Sequence, residues 1–308
     1  MSLLSIVVPC YNEEETVEIF YEALVKVLKT MDKDYEILFV NDGSRDRTLE
    51  KLLGLYERDR AHVKVLDFSR NFGKEGAMLA GLREAKGDYV TVMDTDLQDP
   101  PEYLPRMFET MEKNGDDVVG TRRVTRKGEP KIRSWFARQF YKLINRYTEV
   151  EIVDGARDFR LMKRQVVDSI LSLEEYGRFS KGLFVWVGYK CEYLEYENVK
   201  RVAGETKWSF WKLLRYAMDG IIEYTNMPLG IASWVGGFLT VLMGFILLVM
   251  LVCQLFGKPV SFNSLLICLI LFMGGAILLS SGIIGEYLGK TYDEVRKRPH
   301  YIIRKKYE

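Results

Sequence analysis

The chain contains few of the side chains that build zinc sites and disulfide frameworks. It has only two histidines, His62 and His300, and four cysteines, no two of which are separated by two residues. Zinc sites use closely spaced Cys and His ligands, so the sequence excludes a zinc site of ordinary spacing. The scattered cysteines are typical of a protein in a reducing compartment. A bound metal would therefore have oxygen ligands, as Mg²⁺ or Mn²⁺ does.

An excess of charge of either sign is also missing. The 44 Lys and Arg residues are balanced by 43 Asp and Glu residues, which gives a formal net charge of +1. This balance creates no overall field that attracts nucleic acid, and we expect no nucleic-acid partner. The N-terminal stretch MSLLSIVVPCYNEEE has no basic residue before its apolar run. It therefore predicts a strand rather than a secretory signal peptide.

Strand and helix patterns alternate in the first third of the chain. This alternation predicts βαβ units with right-handed crossovers, and hence an α/β fold with a mostly parallel sheet and flanking helices. With 308 residues, the chain can form one large α/β domain with additional segments. The predicted strands are Leu3–Val8, Tyr35–Val40, Val63–Phe68 and Tyr89–Met93, and the predicted helices between them are Glu14–Thr30, Asp46–Arg60 and Gly76–Ala85.

Each of these four strands is followed by a cluster of polar residues. Asn, Asp and Gly close turns, which is the simplest explanation for any one cluster. In a parallel sheet, however, the carboxyl ends of the strands lie at one edge, where ligands bind. We therefore expect the four clusters to converge there. They are Pro9–Glu13, Asn41–Ser44, Ser69–Gly73 and Asp94–Asp96.

The fourth cluster contains two carboxylates, Asp94 and Asp96, separated by one residue. On extended backbone such residues point to the same side, roughly 7 Å apart. Two carboxylates at the mouth of a parallel strand can hold a hard divalent cation that also binds a diphosphate. The pattern Asp-x-Asp alone is weak, because the same residues also cap helices.

The C-terminal part of the chain is strongly apolar. Leu229–Phe256 and Phe262–Gly285 contain 28 and 24 residues without a charge. Each exceeds the roughly 20 residues that cross a bilayer as a helix, so we expect two transmembrane helices rather than a buried hairpin. Lys207–Tyr224 has aromatic and basic residues at helical spacing, which predicts an interfacial helix.

The distribution of basic residues predicts the orientation in the membrane. Several Lys and Arg residues follow the second apolar segment, whereas the loop between the segments has one Lys. The positive-inside rule then places the catalytic domain and C-terminus of a multi-pass cell-membrane protein in the cytoplasm. The predicted divisions are a catalytic domain at 1–205, a juxtamembrane helix at 206–228, transmembrane helices at 229–256 and 262–285, and a basic tail at 286–308.

Five motifs together resemble a known enzyme family. They are IVVPCYNEE at 6–14, FVNDGSRD at 39–46, SRNFGK at 69–74, MDTDLQDPP at 93–101 and DFRLM at 158–162. The chain resembles family 2 glycosyltransferases of the GT-A fold, in the polyisoprenyl-phosphate branch that includes dolichol-phosphate mannose synthase and the bactoprenol glucosyltransferases. The two C-terminal apolar segments resemble the bactoprenol enzymes in particular.

The resemblance implies a role for each matching residue. Asp94 and Asp96 would bind metal and diphosphate, and Asp158 would lie beside the acceptor as the candidate general base. Thr95 stands where the family often has Ala, and we expect little effect because its side chain points away from the pair on extended backbone. The remaining residues of the implied nucleotide-sugar site are Pro9, Tyr11, Glu13, Asp42, Gln98, Arg122, Arg133 and Lys207.

The implied activity is inverting, metal-dependent transfer of one hexose to undecaprenyl or another polyprenyl phosphate on the cytoplasmic membrane face, for modification of a cell-envelope glycan. UDP-glucose is the implied donor, with UDP-N-acetylglucosamine and GDP-mannose as alternatives. A flippase and an outward-facing glycosyltransferase are the implied partners. Whether the chain forms a homo-oligomer is left open. A phosphate acceptor is already largely ionised at neutral pH, so it has little need of a base. Two roles for Asp158 therefore stay open: it acts as a base, or it orients the acceptor.

Two other readings remain to be separated by experiment. A processive polysaccharide synthase is a second enzymatic reading, but such enzymes carry a Gln-x-x-Arg-Trp stretch that this sequence lacks. A membrane-anchored module that binds a sugar nucleotide without transferring it is the non-enzymatic reading. The complete set of Asp94, Asp96 and Asp158 argues against the latter.

Overall fold

The computed structural model describes residues 2–124, 145–146, 153–197, 222, 227–256 and 262–308. The chain divides into two compact units. One comprises Met1–Leu214 together with Arg298–Glu308, and the other comprises Arg215–Lys297. The predicted interfacial helix Lys207–Tyr224 lies outside the described residues apart from one position, and so do Arg133 and Lys207.

Strands and helices alternate through the first 114 residues, as predicted. The strands are β1 (Leu3–Cys10), β2 (Asp34–Asn41), β3 (Val63–Phe68), β4 (Tyr89–Val92), β5 (Val118–Arg123), β6 (Ala156–Lys163), β7 (Cys191–Tyr196) and β8 (Ile303–Tyr307). The helices are α1 (Val17–Leu28), α2 (Thr48–Arg58), α3 (Lys74–Glu84), α4 (Tyr103–Asn114), α5 (Arg164–Leu171), α6 (Ser180–Trp186), α7 (Met227–Leu255) and α8 (Phe262–Arg296).

Among the described residues, these strands form one mixed sheet in the order β7-β5-β6-β4-β1-β2-β3-β8. The pairs β1–β2, β1–β4 and β2–β3 are parallel, which confirms the prediction for the first four strands. Strand β6 runs antiparallel between β4 and β5, so β5 points the same way as β4. The carboxyl ends of β1 to β5 and the amino end of β6 therefore share one edge, which we call the site edge.

Helices cover both faces of the sheet, which explains why its central strands are apolar without alternation. Ile6 and Val8 of β1 pack in one buried cluster with α1, α2 and α4, whereas Val7 packs in a second cluster with α3 and α5. Helix α3 lies close to β1, since a Cβ on Gly81 would overlap the Val7 side chain. The small residues of α3 thus permit the close approach of helix and strand.

The end of the chain differs from the predicted basic tail at 286–308. Helix α8 continues to Arg296, and β8 pairs antiparallel with β3 at the edge of the sheet. The ring of Tyr301 stacks on Phe68 at 5.2 Å, and Lys306 Nζ lies 2.6 Å from Glu84. A bare β3 would leave unpaired backbone groups at the sheet edge, and β8 satisfies them. The basic residues of β8 therefore belong to the first compact unit.

Two long helices coincide with the two predicted membrane segments. Helix α7 has 29 residues and α8 has 35. Within the described residues, one segment, Phe272–Arg296, is long and apolar enough to cross a bilayer, with a mean hydropathy of 1.3 over a window of 18 residues. The apolar stretch of α7, Trp234–Met250, is shorter. One candidate span is thus found where two were predicted.

Candidate active site

Hydrogen bonds join the polar loops at the site edge, as the sequence predicted. The loop after β1 contacts the loop after β2, since the backbone nitrogens of Asn12 and Glu13 donate to Ser44 Oγ at 3.0 Å and Thr48 Oγ1 at 2.7 Å. The loop after β4 contacts the first loop through Thr16 and Thr95, whose hydroxyls lie 3.1 Å apart. The clusters after β1, β2 and β4 therefore form one continuous surface.

Asp42, at the end of β2, fixes the loop that follows β3. Its carboxylate accepts hydrogen bonds from the backbone nitrogens of Phe72 at 2.6 Å and Gly73 at 3.0 Å, and from Asn71 Nδ2 at 2.8 Å. The side chain is buried, and burial raises the pKa of Asp42 above its ordinary value despite these donors. In the structure Asp42 thus organises the loop that leads into α3; its predicted contact with a nucleoside stays a prediction.

Lys74 begins α3, and its ammonium lies between the carboxylates of two aspartates that come from different strands. Its Nζ is 2.8 Å from Asp94 Oδ1 and 2.9 Å from Asp94 Oδ2, and 2.7 Å from Asp158 Oδ2. Asp94 follows β4, and Asp158 lies near the amino end of β6. The antiparallel pairing of these strands brings both aspartates to the same edge, as the resemblance implied.

This ion pairing shifts the titration of the groups involved. Burial by itself raises the pKa of Asp158, but the charges of Lys74 and Lys181 outweigh burial and hold that pKa well below its usual range. Burial lowers the pKa of Lys74, whereas Asp158 and Asp94 raise it more, so the pKa of the ammonium lies above its ordinary value. Both groups are therefore charged at neutral pH.

Asp96 and Gln98 lie in a turn rather than on the strand. Strand β4 ends at Val92, and Leu97 has a φ of +54°. Asp96 Oδ1 accepts a hydrogen bond from the backbone nitrogen of Gln98 at 3.1 Å. The assumption that Asp94 and Asp96 project from extended backbone was wrong, because the chain has already left the sheet. A turn still keeps both carboxylates at the site edge.

Thr95 has a more definite place than the sequence suggested. Its side chain is buried and bonded to Thr16, whose hydroxyl also donates to Glu13 Oε2 at 2.9 Å. The residue between the two aspartates therefore links the loop after β4 to the loop after β1. Tyr11 is partly buried in that first loop, and Pro9 lies within β1 near its end.

The oxygen ligands present fit a divalent cation that is completed by phosphate oxygens. Within the described ranges, no group of three His, Cys, Asp or Glu side chains could hold a metal by itself. Mg²⁺ commonly binds through one or two carboxylates plus substrate phosphates, so this composition suits it. Asp94 already attracts a cation, the ammonium of Lys74. Asp94 and Asp96 thus have the chemistry of such a site.

The cationic residues at the site edge have defined partners. Arg157 forms a bidentate pair with Asp99, with Nε 3.0 Å from Oδ1 and Nη2 3.1 Å from Oδ2, and Tyr196 also bonds to Asp99. Arg122, predicted at the phosphates, lies at the end of β5 and donates from Nε to the Asp154 carbonyl at 3.0 Å. The structure therefore brings Arg122 to the predicted edge.

Sequence reasoning missed two residues of this site. Lys74 closes one of the recognised motifs but received no role, although its position after Gly73, which has a φ of +96°, indicated a constrained helix start. Asp99 lies within the motif that contains Asp94. Its 2% exposure and its bond to Arg157 depend on β6, so no local signal identified it.

Comparison with known proteins places these features in a family. The family described as glycosyl transferase family 2 matches residues 5–171. An uncharacterized glycosyltransferase of Synechocystis is 42% identical, covering 97% of this chain and 94% of its own. A prophage-derived bactoprenol glucosyl transferase of Shigella flexneri is 39% identical, covering 98% and 97%. Among solved structures, glucosyl-3-phosphoglycerate synthase of Mycobacterium tuberculosis is 18% identical, covers 72% and 78%, and has a TM-score of 0.48.

Proposed function

The chain belongs to glycosyl transferase family 2, and we propose that it transfers one hexose from a nucleoside diphosphate to a polyprenyl phosphate at a membrane. The observation that carries this proposal is the similarity to the Shigella flexneri bactoprenol glucosyl transferase over 98% of this chain. That span includes the apolar helices α7 and α8 as well as the unit Met1–Leu214 with Arg298–Glu308, which carries the candidate site and which we call the catalytic unit. A hydrophobic acceptor accounts for a catalytic domain joined to such helices.

The donor binds at the site edge in this proposal. Pro9, Tyr11, Glu13 and Asp42, at the ends of β1 and β2, hold the nucleoside. Asp94 and Asp96 would hold Mg²⁺ or Mn²⁺ together with the diphosphate, with Gln98 in the same loop. When bound, the cation would neutralise charge on the leaving nucleoside diphosphate. Arg122, Arg133 and Lys207 are assigned to the phosphates of donor and acceptor, the last two from the sequence alone.

The reaction is a single displacement with inversion. A phosphate oxygen of the acceptor attacks the anomeric carbon, a new oxygen–carbon bond forms, and the bond from that carbon to the diphosphate oxygen breaks. The electron pair of the broken bond leaves with the nucleoside diphosphate. Cationic side chains at the site edge stabilise this developing charge, which is the largest contribution such a site can make.

Asp158 orients the acceptor side of the site rather than removing a proton. Lys74 and Lys181 keep its pKa low, so this carboxylate is a weak base. A phosphate monoester loses its second proton near pH 6, so most of the acceptor is already a competent nucleophile at neutral pH. Asp158 therefore holds the cationic side chains that receive the acceptor, and its role as general base is the alternative.

Glucose from UDP-glucose is the proposed sugar and donor, because relatives that share nearly the whole chain are described as bactoprenol glucosyl transferases. N-acetylglucosamine and mannose are the alternatives, since contacts to one or two hydroxyls decide the sugar. A processive polysaccharide synthase is a second candidate, which no observation on the site favours.

The proposed topology has two membrane spans, α7 and α8, with the catalytic unit in the cytoplasm. Large apolar side chains along both helices are exposed, for example Phe238 at 66% and Leu278 at 74%. Lipid is the environment in which such surfaces are stable. A sugar lipid made on that side needs a flippase and an outward-facing transferase, which are the proposed partners.

A donor screen with lipid extraction tests this function. The full-length protein in detergent receives undecaprenyl phosphate, Mg²⁺ or Mn²⁺, and one labelled donor at a time: UDP-glucose, UDP-N-acetylglucosamine or GDP-mannose. The proposal predicts label in an extractable lipid phosphate, with UDP-glucose the best donor. Label in a polymer supports the processive synthase, and binding of donor without transfer contradicts the proposal.

A further inference from the structure

One ammonium group joins the two halves of the candidate site. Lys74 Nζ contacts both oxygens of Asp94, at 2.8 and 2.9 Å, and one oxygen of Asp158, at 2.7 Å. Asp94 is the proposed ligand of the divalent cation, and Asp158 belongs to the acceptor side. A single side chain therefore neutralises both carboxylates at once.

The backbone at Lys74 is held in place by several contacts. Asp42 binds the backbone nitrogens of Phe72 and Gly73 directly before it. Buried residues of α3 follow immediately, Ala77 among them. Because the Cα of Lys74 is fixed, its ammonium moves only by rotation of its own side chain, within reach of both aspartates.

A divalent cation and the Lys74 ammonium cannot both bind Asp94 closely. Like charges on one carboxylate repel, and the repulsion is stronger in a partly buried site than in water. A cation on Asp94 therefore displaces Lys74 from that carboxylate. Asp158 remains as a partner at 2.7 Å, so the ammonium keeps a counter-charge after the exchange.

Neighbouring cations have other bonded partners or act on these carboxylates through charge alone, as Arg157 does on both. Arg157 makes its bidentate pair with Asp99. Lys181 lowers the pKa of Asp158 through its charge. Among the residues that the structure describes, the Lys74 ammonium is the cationic group that bonds to Asp94 and Asp158 together.

We propose that Lys74 is a positioning residue, which competes with the divalent cation for Asp94 in the donor-free protein and holds Asp158 once that cation has bound. This inference rests on the proposed function for the identity of the cation site. It has two consequences. Metal binding without donor is weakened by Lys74, and turnover depends on Lys74 through Asp158.

Binding of Mn²⁺ alone, without donor or acceptor, tests the competition. Full-length wild type and Lys74→Met in detergent are titrated with Mn²⁺, and free Mn²⁺ is followed by electron paramagnetic resonance. Removal of the ammonium should tighten Mn²⁺ binding about tenfold or more, while turnover falls. Lys163→Met is the matched control, because Lys163 also pairs with an aspartate, Asp117 at 2.9 Å, at the opposite end of β6.

Opposite changes in the two measurements separate positioning from simple damage to the fold. A disrupted site loses both Mn²⁺ affinity and turnover. Lys74→Met should instead bind Mn²⁺ more tightly and turn over more slowly. Lys74→Arg, which keeps the charge, should bind Mn²⁺ as weakly as wild type does. If Lys74→Met fails to fold, Lys74→Gln carries the same prediction, since its amide still donates a hydrogen bond.

Unchanged or weaker Mn²⁺ binding in Lys74→Met, or an equal gain in Lys163→Met, would overturn the inference. Neither result touches the proposed sugar transfer, which the donor screen measures separately. Conversely, tighter Mn²⁺ binding in Lys74→Met supports the inference even if the donor screen finds no lipid product. Absence of Mn²⁺ binding in every variant overturns the cation site itself.

Discussion

Lys74 and Asp158 lie 2.7 Å apart although 84 residues separate them in the chain. Lys74 begins the helix after β3, and Asp158 lies near the start of a strand that runs antiparallel to β4. The contact forms because β6 inserts beside β4 with its amino end at the site edge. Through Lys74 it links Asp94, on the proposed donor side, to Asp158, on the proposed acceptor side.

Asp158→Asn tests how this carboxylate works. Its pKa is held low, so it is ionised at both pH 5.5 and pH 8. If Asp158 positions the site, the variant should lose turnover by about 10²-fold at both pH values, because misplaced reacting groups cost about that much. Asp168→Asn on the surface of α5 is the control and should retain activity. Turnover that is intact near pH 8 and impaired only near pH 5.5 would instead identify Asp158 as a base.

Asp96→Asn tests the cation site. Loss of one carboxylate charge weakens the hold on a hard divalent cation. We expect metal-dependent transfer to fall by at least about tenfold, with a higher Mn²⁺ concentration needed for half-maximal rate. Rates measured across a Mn²⁺ series check this. Full metal-dependent transfer in the variant would remove Asp96 from the site.

Gly43→Ala tests the junction between the loops after β2 and β3. Gly43 has a φ of +62°, and an added Cβ would lie 2.6 Å from the Asn71 backbone nitrogen. Left-handed backbone alone costs about 1–2 kcal/mol for a residue with a side chain, and the overlap adds to it. The midpoint of thermal unfolding should fall by several degrees, with loss of activity.

Gly54→Ala is the matched substitution. Gly54 lies in α2, and nothing is within 4 Å of its added Cβ. Ala is favoured over Gly in a helix by roughly 1 kcal/mol, so this variant should be as stable as wild type or more so. Equal destabilisation of both variants would show that the loop junction has no special constraint.

Glu75→Gln tests a pH-dependent contribution to stability. Burial raises the pKa of Glu75 to about 7, and the group bonds to Ser180. Between about pH 4.5 and pH 7 the unfolded chain has lost this proton and the folded protein has kept it, so the stability of wild type falls as pH rises. Gln is neutral at every pH, so Glu75→Gln should lack this loss of stability, which amounts to roughly 3 kcal/mol for wild type at pH 8.

Thermal unfolding in detergent at pH 5 and pH 8 measures the effect, and Glu36→Gln provides the contrast. Burial favours protonation of Glu36 as well, but Lys64, Ser5 and the Lys86 backbone hold its pKa below the ordinary value. That variant should be less stable than wild type at pH 8. If both substitutions changed the stability at pH 8 in the same direction, the opposite pKa shifts assigned to Glu75 and Glu36 would be wrong.

The fold of the first hundred residues could be predicted because its signals are local. The apolar run at Leu3–Cys10 and the helical spacing in Val17–Leu28 each lie within one element. Convergence of the strand ends then follows from parallel pairing. Asp94 and Asp158 were identified for the same reason, since each belongs to a motif that is contiguous in sequence.

The remaining features depend on distant partners. Strand β8 has only the sequence IRKKY, and its pairing is decided by the free edge of β3, more than 200 residues earlier. The role of Lys74 requires two carboxylates, one 20 and one 84 residues later. Thr95 was expected only to point away from Asp94 and Asp96, and its partner Thr16 lies 79 residues earlier. No pattern within one segment contains this information.

The acceptor tests the central claim most directly. Full-length protein with labelled UDP-glucose and Mn²⁺ is given undecaprenyl phosphate or undecaprenol, which differ only in the phosphate group. The account predicts one labelled hexose per lipid phosphate and no product from the alcohol. Equal use of both lipids, or label in polymer with none in lipid phosphate, would contradict it.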